Sequence, residues 1–341
     1  MEIAKSKVRD SNMELLRIVS MLLVMIVHAD FRTLGWPSLV DFKSDDLLLR
    51  FQIESFSIIC VNVFVLLSGW YGIRYKWKRL YAFFFQVFFF LFIGLCIWLY
   101  LPNHEKCSFI ELIKHLILFG DNDFWFVKCY LFLYICAPIL NCFVEKCTRE
   151  QLLTFIICFF VLQTYLGWVT NGVKWFNGGY SGLSFVGLYL LARFFRLYHI
   201  VPITRRPKLF YALAYGLIAV LNGIVSYLVF QKGHIELYKK FFDYNSPIVI
   251  VQSVAFLLIF SKIEFKSKII NWVASSCFAV YLLHSSFMGK IIYDIPLKSF
   301  YDSHKGFIII FFFALYICIM FLISILLDKV RFYLWRRIIK E

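Results

Sequence analysis

The sequence predicts an all-α integral membrane protein, with about ten transmembrane helices in one bundle and both termini in the cytoplasm. The composition is the first reason, because 61% of the 341 residues are hydrophobic and 41 are phenylalanine. The second reason is that many apolar runs reach the roughly 20 residues that a helix needs to cross a bilayer. The third is that basic residues concentrate in alternate connections between these runs.

The predicted spans follow one another with short connections. The second and sixth are irregular and contain Gly and Ser, the fourth begins with aromatic residues, and the ninth ends on a histidine. The last is a long apolar run followed by a basic tail. In chain order the spans are 13–31, 51–70, 80–101, 124–142, 151–170, 179–197, 209–230, 244–261, 270–289 and 307–327.

The distribution of Lys and Arg sets the orientation. With the N-terminus in the cytoplasm, 22 of the 36 basic residues fall in inward segments, as the positive-inside rule expects. This bias and attraction to anionic lipid account for the net charge of +15, so we expect membrane lipids and no nucleic acid as partners. These features predict a protein that crosses a membrane several times.

The connections are too short to hold a soluble core, so residues 1–341 are predicted to form one polytopic domain without an appended soluble domain. The first apolar run lacks a small-residue cleavage site and is interpreted as an uncleaved helix. Residues 109–120 have helical periodicity but are short and amphipathic, which favours an interfacial helix. The ten cysteines show no metal-binding or redox spacing, and no metal site is predicted.

The first span carries three ionisable residues, Glu14, Arg17 and His28. A helix advances about 100° per residue, so all three share one stripe, with His28 roughly 16 Å beyond Arg17. Ionisable groups inside a membrane segment usually face the protein interior and indicate a functional site. The alternative is that Glu14 and Arg17 snorkel as an interfacial pair.

Polar residues in other spans are further candidates. Ser68 closes the second span beside Gly69, where small residues allow close helix packing. Trp125 enters the fourth span and suits either an aromatic belt or stacking against carbohydrate. Lys128, one turn further, is expected to pair with Asp121 or Asp123.

The ninth span contains Tyr281 and His284. His284 lies about as far along its helix as His28 does along the first, and both helices run outward in the predicted topology. Lipid would leave imidazole nitrogens without partners. We therefore predict that the two rings line one pocket, with Trp125 near its outer mouth, an opening toward the basic cytoplasmic end, and room for an acyl group and a hydroxyl between the rings.

Taken together, these segments resemble the acyltransferase family 3 integral membrane proteins, bacterial enzymes that acylate cell-surface glycans. The resemblance covers essentially the whole chain and rests most specifically on an Arg and a His with ten residues between them in the first span. Family members often carry Arg-x-x-Arg after the second or third span. Here the nearest matches are Arg74 and Lys76-x-x-Arg79. The segments that carry the resemblance are Glu14–Arg17 with His28, Phe64 with Leu67–Gly69, Phe124–Phe126 with Tyr130 and Leu131, and Tyr281–His284.

The resemblance implies transfer of an acyl group, most simply acetyl, from acyl-coenzyme A to a hydroxyl of a cell-surface or exported polysaccharide or lipid-linked glycan. Acyl-coenzyme A is then a co-substrate, and no bound cofactor is expected. Arg17, Arg74, Lys76 and Arg79 would bind the phosphates of the donor. His28 would act as general base or as a transient acyl carrier, because imidazole titrates near neutral pH.

The predicted catalytic residues are His28, Glu14 and Arg17. Ser68, Trp125, Tyr281 and His284 are candidates to hold the acceptor or the oxyanion. Nothing in the sequence indicates the oligomeric state, the acceptor glycan, or whether the acyl group is larger, such as succinyl. A secondary transporter or flippase would also carry buried charges, but it typically shows internal repeats, and none is evident. A membrane scaffold or receptor has no need of three ionisable residues on one stripe.

Overall fold

The computed structural model describes residues 10–38, 46–100, 110, 114, 124–170, 173–198, 206–286 and 289–339. Every regular element in these ranges is helical, as the sequence predicts. The α-helices in chain order are α1 (Ser11–Val27), α2 (Leu47–Ser57), α3 (Cys60–Tyr71), α4 (Trp77–Tyr100), α5 (Trp125–Lys146), α6 (Arg149–Leu162), α7 (Gly182–Leu197), α8 (Lys208–Gln231), α9 (Ile235–Lys240), α10 (Pro247–Ser261), α11 (Lys268–Ala274), α12 (Cys277–Ser285), α13 (Gly289–Ser303) and α14 (Phe307–Ile338).

Six helical stretches in the described part of the chain are long and apolar enough to cross a membrane, and α10 is a shorter apolar helix. The chain is therefore a multi-pass membrane protein. The total of about ten spans and the cytoplasmic position of both termini stay predictions. The six stretches are Leu47–Tyr71, Trp77–Tyr100, Trp125–Lys146, Arg149–Val169, Lys208–Gln231 and Phe307–Ile338.

The outer helices present apolar side chains away from the protein. On α8, Leu213, Leu217 and Leu221 recur every fourth residue and are all exposed. This spacing places them on one face of the helix. A continuous exposed leucine stripe of this kind is what contact with lipid requires and what water disfavours.

Hydroxyl side chains define where several helices begin. Thr148 caps α6 in a reciprocal capping box with Gln151, Ser181 accepts from the Ser184 N–H at the start of α7, and Ser267 does the same for Ile270 in α11. Each satisfies a backbone N–H that has no partner inside its helix.

Two of the predicted continuous spans are interrupted. The second breaks at Ile58–Ile59 between α2 and α3, and the ninth breaks at Ser275–Ser276 between α11 and α12. In the ninth, the Ser275 hydroxyl donates to the Trp272 carbonyl over 2.7 Å. Serine side chains that bond to nearby backbone compete with the helical pattern. The break sets the direction of the short helix that carries His284.

Residues 290–306 were expected only as an extramembrane stretch, and most of them form α13. Charges at every fourth position, Lys290, Asp294, Lys298 and Asp302, are the helical signal in this segment. α13 packs against α12, α14 and the end of the first span. The predicted interfacial helix at 109–120 lies outside the described residues, apart from two isolated positions within it.

The first helix lies inside the bundle. α1 packs against α2, α3, α10, α11, α12 and α14, and Leu16 and Met25 on it are fully buried. A transmembrane helix with neighbours on every side can carry ionisable side chains without presenting them to lipid. This position brings the end of α1 against the end of α12.

Gly69 allows α3 and α7 to pack closely. A Cβ added at this position would lie 2.4 Å from the Tyr189 carbonyl oxygen and 2.9 Å from the Ala192 Cβ. Backbone cannot yield as a flexible side chain can, so any larger residue must separate the two helices. This confirms the predicted use of a small residue at a helix interface.

We expect Gly69→Ala to destabilise the protein by about 1–3 kcal/mol, the usual cost of overpacking. Gly216→Ala is the matched control, because a Cβ there meets nothing within 4 Å. Gly216→Ala should stabilise α8 by about 0.5–1 kcal/mol, since it removes the entropic cost of a helical glycine. Thermal unfolding of the detergent-purified variants measures both. Equal melting temperatures for the two variants would contradict the close approach.

Candidate active site

His28 marks the point where the first helix changes geometry. The α-helical hydrogen bonds of α1 end at Val27, and residues His28–Arg32 form a π-helical turn. The Thr33 N–H donates to the His28 carbonyl, five residues back, over 3.1 Å, and the Thr33 hydroxyl donates to the same oxygen over 2.6 Å. Such widened turns occur frequently at functional sites. Here the turn brings Arg32 back beside His28.

The two predicted histidines touch. Nδ1 of His28 lies 2.8 Å from Nε2 of His284, and Nδ1 of His284 lies 2.5 Å from the Val280 carbonyl oxygen. A carbonyl can only accept, so the neutral His284 ring carries its proton on Nδ1 and presents a lone pair on Nε2. His28 then donates its Nδ1–H to His284, which leaves the basic lone pair of His28 on Nε2.

This contact corrects one sequence prediction. The rings share a site, but at 2.8 Å they bond directly and no acyl group fits between them. Counting residues along the helices gave the depth of the two rings correctly. It could not give their lateral distance, which the packing of α12 on α1 determines. His284 is 1% exposed and lies behind His28, away from solvent.

Arg32 is held beside this pair. Its Nη2 donates to Asp294 on α13 over 2.7 Å, while Nη1 lies 2.9 Å from Nδ1 of His28. The Thr33 hydroxyl also lies 2.8 Å from the same Asp294 oxygen. Arg32, His284 and the Ser285 hydroxyl, at 3.3 Å, all approach this one nitrogen. His284 is the nearest group that can accept, and donation of the Nδ1–H to it makes Nε2 of His28 basic. The ion pair with Asp294 offsets the charge of Arg32.

A cavity of about 750 Å³ lies in front of His28. Its size falls within the range of small-molecule sites, and its wall combines aromatic side chains with several polar and charged groups. The lining residues come from α1, α2, α5 and the connections beside them. They are Val27, His28, Phe31, Arg32, Gly35, Trp36, Glu54, Ile58, Trp125, Lys128, Cys129, Asn177, Tyr180 and Tyr244.

A buried ion pair fixes α2 against the end of the first span. Nε of Arg50 donates to Asp30 over 2.6 Å, and Nη2 donates to the Gly35 carbonyl over 2.7 Å. Both charged side chains are less than a tenth exposed. Removing one partner of such a pair leaves an uncompensated buried charge. The pair therefore holds the part of α2 that lines the cavity.

The other predicted acceptor or oxyanion residues differ in position. Trp125 lines the cavity. Tyr281 packs beside the histidines, with its ring centre 6.5 Å from that of His28. Ser68 does not line the cavity, because its hydroxyl donates to the Phe64 carbonyl and contacts the Tyr130 hydroxyl.

Glu14 and Arg17 lie at the opposite end of α1. Nη1 of Arg17 donates to Glu14 over 2.6 Å, which is the pair that the alternative interpretation of this stripe also expects. At this end, the Tyr71 hydroxyl, on the last residue of α3, donates over 3.3 Å to Asp10, which precedes α1. Nζ of Lys329 on α14 donates to the Trp272 carbonyl over 2.7 Å.

Arg74, Lys76 and Arg79 follow α3 directly and are exposed at this same end of the bundle. We call Arg17, Arg74, Lys76 and Arg79 the basic end. None of these four residues lines the cavity at His28. The lining residues therefore do not show the predicted opening of that pocket toward the basic end. The predicted partners of Lys128, Asp121 and Asp123, lie outside the described residues.

Sequence reasoning missed three charged residues of the cavity region. Arg32 lies one helical turn after His28, and Arg50 and Glu54 are one turn apart at the edge of the second span. All three are ionisable residues at membrane depth, which is the signal that identified His28. Asp294 carried no comparable signal, since its stretch was expected only as an extramembrane connection.

Comparison with known proteins gives one match. No curated protein and no solved structure matches the chain. The family model described as an acyltransferase domain matches residues 10–329, which include both histidines, the cavity and the basic end. The chain therefore belongs to acyltransferase family 3, and it is a membrane-embedded acyltransferase.

Proposed function

We propose that this protein moves an acyl group, most simply acetyl, from acyl-coenzyme A to a hydroxyl of a surface or exported polysaccharide or a lipid-linked glycan, in the bacterial inner membrane. The observation that carries the proposal is the histidine pair at the wall of the cavity. His284 is held by the Val280 carbonyl and in turn holds His28. A base oriented by a second group is the arrangement that acid–base catalysis of acyl transfer uses.

In the proposed reaction, Nε2 of His28 takes the proton of the acceptor hydroxyl as its oxygen attacks the thioester carbonyl. The tetrahedral intermediate collapses, the C–S bond breaks, and the imidazolium returns the proton to the coenzyme A thiolate. In a variant route, Nε2 of His28 first attacks the thioester carbonyl and the C–S bond breaks, which leaves an acyl-imidazole and the coenzyme A thiolate. The acceptor hydroxyl then attacks the acyl carbonyl, the C–N bond breaks, and the hydroxyl proton passes to the thiolate. Both routes need the same nitrogen and the same tautomer of His28.

Arg32 is a proposed oxyanion donor. It lines the cavity beside His28, and its guanidinium is oriented by Asp294. A fixed cation next to a developing oxyanion stabilises the transition state in a site from which water is excluded. From the sequence, the candidates for the acceptor or the oxyanion are Ser68, Trp125, Tyr281 and His284. Arg32 is proposed for the oxyanion because it lines the cavity, whereas Ser68 does not.

The donor is proposed to enter from the basic end. Arg17 lies roughly 16 Å from His28 along α1, so an extended pantetheine arm along that helix would carry the thioester toward the cavity. Phosphate groups suit arginine, which binds them through two parallel hydrogen bonds, and Lys76 would add a point charge.

The direct test is release of coenzyme A from labelled acetyl-coenzyme A by the detergent-purified protein, with and without de-acylated surface glycan from cells that lack the gene. We expect glycan-dependent release and label in the glycan. A transporter or flippase would bind the glycan without releasing coenzyme A. Mass analysis of surface glycan from the deletion strain would identify the acyl group that is lost.

We expect Arg17→Ala to weaken acyl-coenzyme A binding by about 10-fold or more, the loss typical of a charge-assisted hydrogen bond. Arg17→Lys should recover binding only in part, because lysine cannot form the paired contact. Isothermal titration with a non-hydrolysable acyl-coenzyme A analogue measures both variants. Arg149→Ala, an exposed arginine at the start of α6, is the control. Wild-type affinity in Arg17→Ala would leave this residue as a membrane anchor.

A further inference from the structure

Glu54 is the buried acid of the cavity. It lies on α2, lines the cavity, and is 1% exposed. Among the described residues its Oε2 atom has no hydrogen-bond partner. A buried carboxylate oxygen without a donor is expensive, and native proteins keep few of them. An orphaned oxygen at the wall of a cavity is therefore a place where a ligand can donate a hydrogen bond.

The neighbouring arginine does not satisfy this acid. Arg50 lies one turn before Glu54 on α2, but its Nε and Nη2 are bound to Asp30 and to the Gly35 carbonyl. Asp30, Arg50 and Glu54 together comprise two acids and one base in a buried space. A surplus buried acid either takes up a proton or is stabilised by donors from elsewhere, and in both forms the carboxyl group of Glu54 can accept a hydrogen bond.

Aromatic rings form the wall beside Glu54. The Trp125 ring centre is 4.5 Å from that of Tyr180 and 5.8 Å from that of Tyr244, with Trp125 and Tyr244 stacked at 27°. Tyr180 and Tyr244 line the same cavity as Glu54. Flat apolar rings next to a hydrogen-bonding group suit a ligand that has one apolar face and a polar edge.

The charges of the wall limit what the ligand can be. Arg32 and Lys128 line the same cavity, and they disfavour a cationic ligand. Glu54 disfavours an anionic one at its own position. A neutral, hydroxyl-rich ring remains, because each hydroxyl can donate to a carboxylate while the C–H face packs on an aromatic ring.

We propose that Glu54, with the Trp125, Tyr180 and Tyr244 wall, binds a neutral pyranose unit of the acceptor, one hydroxyl donating to Oε2 of Glu54. This inference rests on the proposed function for the identity of the ligand as acceptor. The cavity wall that holds Glu54 also holds His28, so a second hydroxyl of the same unit can face the base. Glu54 then selects acceptors that present two hydroxyls to one cavity.

The test combines binding with stability. Glu54→Leu removes the carboxylate but keeps a side chain of similar size. Binding of de-acylated oligosaccharides, released from the surface polysaccharide of gene-deleted cells, is measured by titration without any acyl donor. We expect the dissociation constant to rise about 10-fold, the effect of losing one hydrogen bond to a buried polar group. Glu54→Gln keeps an uncharged hydrogen-bond acceptor, so its dissociation constant should lie between those of the wild type and Glu54→Leu.

The melting temperature of Glu54→Leu without ligand should rise, because an unsatisfied buried acid has been replaced by an apolar side chain. Glu236→Leu is the control. That acid is exposed on α9 and does not line the cavity, so binding should be unchanged. Weaker binding together with higher stability supports a ligand-binding role that a structural role would not produce.

Three results would overturn the subsite. They are an unchanged dissociation constant in Glu54→Leu, a lowered melting temperature in that variant, and no binding of the oligosaccharides by the wild type. Failure of the proposed function looks different. In that case the wild-type protein binds the oligosaccharides in a Glu54-dependent way and releases no coenzyme A, and the subsite stands.

Discussion

Replacing His28 by alanine should lower the rate of acyl transfer by about 10²–10⁴-fold, the usual contribution of a general acid–base group. The side chain is only partly buried and faces the cavity, so the variant loses little packing and should remain inserted and folded. Release of coenzyme A from labelled acetyl-coenzyme A, at saturating glycan, measures the loss. Donor affinity should stay near that of the wild type, because the basic end is intact.

The control for His28→Ala is His234→Ala, which removes an exposed histidine before α9. It should transfer acyl groups at the wild-type rate. Near wild-type transfer by well-expressed His28→Ala would remove His28 from the mechanism. Brief exposure of the wild-type protein to labelled donor without acceptor, followed by peptide mass analysis, would also separate the two routes, since only the acyl-imidazole route leaves label on His28.

The parts of the site that the sequence predicts depend on local periodicity. The stripe of Glu14, Arg17 and His28 follows from the helical repeat, and the similar depth of His284 follows from counting along a second helix. Ionisable residues within apolar runs are rare, so each is informative. The same signal applies to Arg32 and Glu54, but Arg32 follows the end of the first predicted span and Glu54 lies near the start of the second, where charged residues are more common than at the centre of a span.

The remaining parts depend on contacts between distant segments. Arg32 meets Asp294 across 262 positions of chain, and no local pattern predicts that pairing. The direct bond between His28 and His284 depends on the break at Ser275–Ser276, which reorients a helix interpreted as one continuous span. A shift of a few ångströms at such a break decides between a shared cavity and a hydrogen bond. A hydropathy pattern does not predict displacements of that size.

The second large effect is expected at His284, a positioning residue that acts through His28. Its Nε2 accepts the Nδ1–H of His28, and thereby directs the lone pair of His28 to Nε2. In the wild type, the ring centre of His284 lies 4.9 Å from that of Tyr293. His284→Phe keeps a ring in this position but removes the nitrogen that accepts the hydrogen bond from His28. Arg32, at 2.9 Å, would then be the nearest group to Nδ1 of His28, ahead of the Ser285 hydroxyl at 3.3 Å, and would favour the tautomer that is not basic at Nε2. We expect kcat to fall by about 10²-fold or more.

The matched variant is His284→Gln, whose side-chain oxygen can accept from His28 while its amide donates to the Val280 carbonyl. Gln should recover a large part of kcat, and KM for the acyl donor should stay unchanged in both variants, because donor binding lies at the other end of α1. A merely structural role for His284 predicts the opposite order, since Phe fills the buried space better than Gln does and should be the more active protein. Equal activity of the two variants would likewise exclude positioning through a hydrogen bond, and would leave the tautomer of His28 to be set by Arg32 alone.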